Sequence, residues 1–217
     1  MVTLIKWFLI FDKRYFFAWI TLFYVLFNLI INEFIITNEF YYNSLGEQLS
    51  IERIDEILNL KQKWNWITYL FIPVTLLIKY SLIAFCLDVG AVISGYRISF
   101  KKLFQVVMIA DLVFLLAQLL RTIILWITDI NSLTEIQYFL PFSLLSLFDV
   151  KELDVWFIYP LQVINVFEIV YWFILALGLK IVFEKKFSKM FRLVLSSYGT
   201  GLVIWIMVVM FLSINFS

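Results

Sequence analysis

Histidine is absent from this 217-residue sequence, and cysteine occurs only once, at Cys86. Without histidine the commonest metal ligand and proton shuttle is missing, and a single cysteine cannot form an intramolecular disulfide. Enzyme signatures are also missing, since there is no HExxH, no GxSxG, no P-loop and no aspartate cluster spaced to hold magnesium. We therefore predict a protein that is not an enzyme and has no catalytic, cofactor-binding or metal-binding residues.

Charged residues are few as well, at 15%, whereas 64% of the residues are hydrophobic and the mean hydropathy is +0.97. Soluble domains are about one-quarter charged and about half apolar. The composition therefore predicts an integral membrane protein surrounded by the lipid bilayer, and no nucleic acid partner is expected. The abundance of Phe, Ile and Lys is typical of an AT-rich bacterial genome, so the expected location is a bacterial cytoplasmic membrane.

Five apolar stretches are long enough to cross a bilayer, which takes about 20 residues in a helix. They cover residues 15–36, 67–90, 103–127, 155–180 and 194–211. The sequence thus predicts an all-α fold, a polytopic integral membrane helical bundle of five transmembrane helices that forms one domain over residues 1–217. Residues 1–14 carry a short apolar run between charged residues, which suits an interfacial segment rather than a span.

The distribution of positive charge predicts the orientation. If the N-terminus is cytoplasmic, eleven lysine and arginine residues fall in cytoplasmic segments and four in outer ones, as the positive-inside rule requires. The cytoplasmic residues are Lys6, Lys13, Arg14, Arg97, Lys101, Lys102, Lys180, Lys185, Lys186, Lys189 and Arg192, and the outer ones are Arg53, Lys61, Lys63 and Lys151. With five spans, the C-terminus is then outside.

The two outer segments, residues 38–63 and 128–154, are acidic and each predicts a short interfacial helix. In the first, apolar residues recur at helical spacing after Ser50, a candidate N-cap, which favours an amphipathic helix lying on the outer surface. In the second, Ser132 and Glu135 have the spacing of a capping box, and Pro141 separates two short apolar runs. A docking helix for a partner protein has the same pattern as a helix that rests on lipid.

Six polar residues inside the predicted spans form a candidate intramembrane network. They are Lys79, Asp111, Gln118, Arg121, Asn165 and Glu168. At helical spacing Gln162, Asn165 and Glu168 form one polar stripe, and the residues of span three form another. A charge near the bilayer centre is costly unless it is compensated. Depth along the helices makes Lys79 and Glu168 the natural pair, with an alternative in which Lys79 lies between Asp111 and Glu168.

The C-terminal half of the chain resembles the Yip1-type family of five-span membrane proteins. Two stretches carry the resemblance, GAVISGYRISFKKLF at residues 90–104 and VFEIVYWFILALGLKIVFEKKFSKMFRLVL at residues 166–195, where Trp172 and Gly178 precede a basic loop that contains serine. The acidic N-terminal segment of the eukaryotic members and the proline usual in their third span are missing. The resemblance implies a helical bundle that acts in membrane organisation or trafficking through protein partners, and it carries over no catalytic residue.

Two functions follow as hypotheses. The first is a non-enzymatic integral membrane subunit or scaffold that acts through other membrane or envelope proteins. The alternative is a transporter or channel component that uses the buried charges for an ion, a proton or a lipid. The absence of histidine and the scarcity of glycine count against a secondary transporter. Polar residues that only fix the register between membrane helices would follow the same pattern.

Overall fold

The structure, a computed structural model, describes residues 13–46, 49–128 and 133–216. These residues are helical or lie in short connections, and the only β-type pairing among them is an isolated bridge between Ser143 and Asn165. Most of the predicted interfacial segment 1–14 and the predicted cap Ser132 lie outside the described residues.

Ten α-helices follow one another along the described part of the chain. They are α1 (Lys13–Ile30), α2 (Asn38–Leu45), α3 (Ile51–Ile93), α4 (Phe100–Ala110), α5 (Leu112–Ile127), α6 (Leu133–Tyr138), α7 (Val155–Val163), α8 (Val166–Phe183), α9 (Phe187–Val194) and α10 (Thr200–Phe216). A π-helical turn extends α1 over Ile31–Ile35, and another, Leu195–Gly199, joins α9 to α10. Two 3-10 turns, Leu144–Leu147 and Val150–Glu152, precede α7.

Five helical stretches are long and apolar enough to cross a membrane. They are Lys13–Ile35, Ile51–Ile93, Phe100–Ile127, Val166–Phe183 and Phe187–Phe216. The prediction of an all-helical chain with five such helices is therefore confirmed for the described residues. The first and third stretches match the predicted spans 15–36 and 103–127 closely, whereas the second begins before residue 67 and the fourth begins after residue 155. The fifth begins earlier than residue 194 because the basic residues Lys189 and Arg192 already lie in a helix, α9.

Helix α3 corrects the interpretation of the first outer segment. The predicted span 67–90 and the predicted amphipathic helix form one continuous helix of 43 residues, about 64 Å long at 1.5 Å per residue. Ser50 does cap it, because its side chain accepts a hydrogen bond from the Arg53 backbone N–H at 3.4 Å. Ile54 and Leu58 are buried, so the apolar pattern of this segment packs against the protein. The expected separate surface helix is therefore the first part of α3.

The predicted span 155–180 is not one helix. It breaks at Ile164 and Asn165 into α7 and α8, and the backbone of the break pairs with the loop before α7. The Leu144 N–H donates to the Ile164 carbonyl at 2.9 Å, and the Val166 N–H donates to the Phe142 carbonyl at 3.2 Å. These bonds satisfy backbone groups that a break in an apolar helix would otherwise leave unpaired. The predicted helical stripe of Gln162, Asn165 and Glu168 is therefore wrong.

Helix α4 lies at the centre of the bundle. Seven of its eleven residues, Leu103, Gln105, Val106, Val107, Met108, Ile109 and Ala110, are buried, whereas α10 has no buried residue. Helices α3 and α8 pack on α4, and the approach to α8 is close because Gly178 has no side chain. A Cβ atom at Gly178 would lie 2.5 Å from a methyl group of Val106. The small residue thus allows the two backbones to meet in the core.

Candidate functional site

Asp111 lies between α4 and α5, where it is completely buried. Its Oδ1 accepts a hydrogen bond from the Lys79 ammonium at 2.6 Å, and its Oδ2 accepts from the hydroxyls of Tyr80 at 2.6 Å and Tyr24 at 3.0 Å. These donors come from α3 and α1. Charge-assisted hydrogen bonds of this kind are about twice as strong as neutral ones, so Asp111 ties three parts of the bundle together.

Lys79 forms a salt bridge with Asp111 and lies over the ring of Phe114, 4.2 Å from its centroid. Both contacts are attractive, because an anion and an aromatic face each interact favourably with a cation. No salt bridge joins Lys79 to Glu168 among the described residues. The expected pairing of Lys79 with Glu168 is therefore wrong. Lys79 pairs with Asp111, which the alternative prediction had placed beside Lys79 together with Glu168.

Glu168 lies in the first turn of α8 and is held by neutral donors. Its Oε1 accepts from the Trp172 indole N–H and from the Tyr198 hydroxyl, each at 2.7 Å. Asn165 caps the helix, since its side-chain oxygen accepts from the Glu168 backbone N–H at 2.8 Å. A carboxylate at a helix N-terminus is favoured by the unpaired N–H groups there. The break before α8 thus creates the local environment of Glu168.

Lys79 and Glu168 both line a cavity of about 590 Å³. It lies between α3, α5, α7, α8 and α10 and is lined by Thr75, Ile78, Lys79, Leu82, Ile83, Cys86, Phe114, Leu140, Tyr159, Gln162, Val163, Asn165, Glu168, Tyr198, Gly201, Leu202 and Trp205. The side chain of Lys79 is 38% exposed, while Asp111 behind it is covered. A mostly apolar wall that carries a cation and an anion is the composition of a site for a small amphipathic molecule.

The other two predicted network residues lie elsewhere. Arg121 donates from Nη2 to the Ile136 carbonyl at 2.7 Å, and so helps to hold α6 against α5. The backbone carbonyl of Gln118 accepts from the Thr122 hydroxyl at 2.8 Å, and the Gln118 side chain is half-buried. Of the six candidates, the structure brings Lys79 to Asp111 and Asn165 to Glu168, with Lys79, Asn165 and Glu168 lining one cavity.

Four aromatic residues of the site were not predicted. They are Tyr24, Tyr80, Trp172 and Tyr198, and each donates a hydrogen bond to a buried carboxylate. A signal was present for Trp172, which follows Glu168 by four residues and so shares its helix face. No comparable spacing indicates the others, because aromatic residues make up 20% of the sequence and their contacts cross between helices.

Tyr171 offers an internal comparison with Tyr80. Both are completely buried, but the Tyr171 hydroxyl has no hydrogen-bond partner among the described residues, whereas the Tyr80 hydroxyl donates to Asp111. We expect Tyr171→Phe to leave the free energy of unfolding unchanged or to raise it, since it removes an unpaired buried hydroxyl. Tyr80→Phe should lower it by about 1.5–3 kcal/mol, the contribution of a hydrogen bond to a charged group. Unfolding of the two variants in the same detergent measures the difference, and equal effects would contradict the assignment.

Comparison of the chain with family models, with curated proteins and with solved structures finds no match. Among the described residues no group of three or more histidine, cysteine, aspartate or glutamate side chains is placed to hold a metal ion. The cavity lined by Lys79 and Glu168 is therefore the feature of the protein that indicates a function.

Proposed function

We propose that this protein is an integral membrane protein that binds an amphipathic molecule within its helical bundle. The observation that carries the proposal is the cavity of about 590 Å³, which combines an ammonium group and a carboxylate with an apolar wall. Glu168 contacts the polar group of the ligand, and residues such as Leu82 and Leu202 contact its hydrocarbon part. The proposal develops the alternative sequence hypothesis, a buried charge network that serves a lipid.

The charges of the site favour a ligand that carries an amine. Lys79 is compensated by Asp111, but Glu168 has only neutral hydrogen-bond donors. Lys79 lines the same cavity and acts on Glu168 electrostatically, but it forms its salt bridge with Asp111. Burial of a carboxylate is costly, and a cationic group placed directly beside Glu168 offsets that cost. Both donors bind Oε1, which leaves Oε2 of Glu168 available to an ammonium group. We infer that the ligand is an amphipathic amine whose nitrogen lies at Glu168.

The proposed placement has all five long helices crossing the bacterial cytoplasmic membrane, with the N-terminus inside and the C-terminus outside. The connection between α3 and α4 carries Arg97, and the turn between α8 and α9 carries Lys185 and Lys186, which supports a cytoplasmic location for this end. At about 64 Å, α3 is longer than a hydrocarbon core of about 30 Å. Its first part therefore extends outside together with α2, where the predicted protein partners would bind.

The test compares a long-chain primary amine with the alcohol of the same chain length, because the two compounds have the same hydrocarbon part and differ in the charge of the polar group. We expect the purified protein to bind the amine more tightly. Glu168→Gln keeps acceptors for Trp172 and Tyr198 but removes the charge, so amine affinity should fall about tenfold or more while alcohol affinity stays the same. Equilibrium binding of the radiolabelled compounds gives both values.

The matched control is Glu39→Gln, which removes an exposed carboxylate in α2 and should not change either affinity. Equal binding of amine and alcohol by the unaltered protein would overturn the inferred amine. Binding of neither compound would overturn the cavity as an amphiphile site, and an unchanged amine affinity in Glu168→Gln would remove Glu168 from it.

A further inference from the structure

A second cavity, of about 700 Å³, lies at the end of the bundle that is rich in lysine and arginine. It is formed where the end of α3 and the residues after it meet α9 and the π-helical turn Leu195–Gly199. Its polar lining consists of the side chains Lys189 and Arg192 with Ser94, Ser196 and Tyr96, and leucines supply the remainder. This site is separate from the cavity lined by Lys79 and Glu168, with no lining residue in common.

The lining of the second cavity contains two cations and no carboxylate. Lys189 and Arg192 are three residues apart in α9 and so share one face of that helix. Both are exposed, and neither forms a salt bridge within the described part of the chain. An arginine and a lysine that converge without an internal anion are the usual arrangement for binding phosphate, with the planar guanidinium as the bidentate partner.

The surroundings add to the positive potential. Five further cations lie at this end of the bundle, namely Arg97, Lys101, Lys102, Lys185 and Lys186. The carboxylates nearest in sequence are Asp88, inside α3, and the exposed Glu184, and neither lines the cavity. Clustered cations of this kind raise the local concentration of anions.

The apolar part of the cavity distinguishes a lipid from a free anion. Leu193 is buried behind the cations, while Leu195 is 39% exposed and lines the same cavity. The π-helical turn contains Leu195 and Ser196, and such turns insert an extra residue that changes which side chains face outward. A phosphate with attached hydrocarbon can thus contact Arg192 and Leu195 together.

We propose that this cavity binds the phosphate of an anionic phospholipid, with Lys189 and Arg192 on the phosphate oxygens, the hydroxyls of Ser94 and Ser196 beside them, and an acyl chain along Leu195. The lipid contacts both α3's end and α9. Because a ligand that binds only the folded state stabilises it, an anionic lipid should raise the thermal midpoint of unfolding. The proposal does not depend on the amine site, since the two cavities share no residue.

The experiment measures thermal unfolding in a mild non-ionic detergent after addition of phosphatidylglycerol, phosphatidylcholine or inorganic phosphate. We expect phosphatidylglycerol to raise the midpoint by several degrees and the other two to have little effect. In the double variant Lys189→Gln with Arg192→Gln the shift should be lost. The control Lys101→Gln with Lys102→Gln makes the same change in charge at the same end without altering the lining of the cavity, so it should keep most of the shift.

Three results would overturn the proposal. The first is an equal shift with inorganic phosphate, which would indicate an anion site without a lipid. The second is an equal shift with phosphatidylcholine, and the third is a shift that the double variant retains. If that variant does not fold, native mass spectrometry of the unaltered protein with an equal mixture of the two lipids gives the decision. Preferential retention of phosphatidylglycerol supports the site, and its absence overturns it.

Discussion

Replacement of Asp111 by alanine is expected to lower the free energy of unfolding by about 3–5 kcal/mol, the usual cost of removing one partner of a buried ion pair. The carboxylate is completely buried, and it accepts hydrogen bonds from Lys79, Tyr80 and Tyr24. Without it the Lys79 ammonium loses its only salt bridge within the described residues, and two hydroxyls lose their acceptor. Denaturation of the purified protein in mixed micelles measures the loss.

Two further variants separate the charge effect from general damage. Asp88→Ala removes a half-buried carboxylate of α3 that forms no hydrogen bond or salt bridge through its side chain with any other described residue, and it should change stability by less than about 0.5 kcal/mol. Adding Lys79→Met to Asp111→Ala removes the stranded cation and should recover a large part of the loss, because the unpaired charge is the main cost. If the double variant is less stable than Asp111→Ala alone, the ion pair is not the source of the effect.

Replacement of Gly90 by alanine is expected to cost about 1–3 kcal/mol, the range for overpacking a close contact. Gly90 lies in the last turn of α3, and a Cβ atom there would be 2.4 Å from the Cβ atom of Ser197. Neither atom can move away by rotation of a side chain, so α3 and the π-helical turn have to separate. Thermal unfolding in detergent should show a lower midpoint for Gly90→Ala.

A second substitution, at Ser197, should restore part of the stability that Gly90→Ala loses. Ser197→Gly removes the clashing atom, so the double variant Gly90→Ala with Ser197→Gly should be more stable than Gly90→Ala alone. The recovery in stability is reduced by about 0.5–1 kcal/mol, the cost of a glycine within a helix. Gly199→Ala is the control, because its Cβ would meet Trp172 at 3.7 Å, an ordinary contact. A Gly90→Ala protein as stable as the unaltered one, or a rescue that fails, would show that the helices are less tightly packed here.

The five long apolar helices could be predicted because length and hydropathy depend on each segment alone. The continuity of α3 could not be predicted in the same way. Trp64 and Trp66 are typical of a membrane interface, but an interface marks a depth and does not end a helix. No glycine or proline lies between Ile51 and Trp66. That absence of a helix breaker was the available signal for one uninterrupted helix.

The break before α8 had a signal as well. Asn165 and Glu168 have the spacing of an N-cap and a third helical residue, a pattern that competes with the interpretation of Asn165 as part of a continuous stripe. What decides between the two is the loop around Ser143, which pairs with Asn165 across more than twenty residues. Propensity within the segment does not reveal a partner so distant in sequence.

The partner of Lys79 could not be predicted from the sequence for a different reason. Depth estimated at 1.5 Å per residue placed Lys79 level with Glu168, but a salt bridge also depends on the rotation of each helix about its axis. In the structure the rotations of α3 and of the junction between α4 and α5 point Lys79 at Asp111. Rotation depends on the packing of the whole bundle, including the close contact of α4 with Gly178.

The length of α3 has a mechanical consequence. Ile51, at its N-terminal end, and Lys79, at the cavity, belong to one helix and are about 42 Å apart along its axis. A tilt of α3 by about 5° around the level of Lys79 would displace the N-terminal end by about 4 Å. Tyr42 in α2 donates a hydrogen bond to Asp55 close to that end, so α2 is attached to the part of α3 that lies far from the cavity. A small change in the angle of α3 at the cavity would therefore displace α2 and the N-terminal end of α3 by a much larger distance.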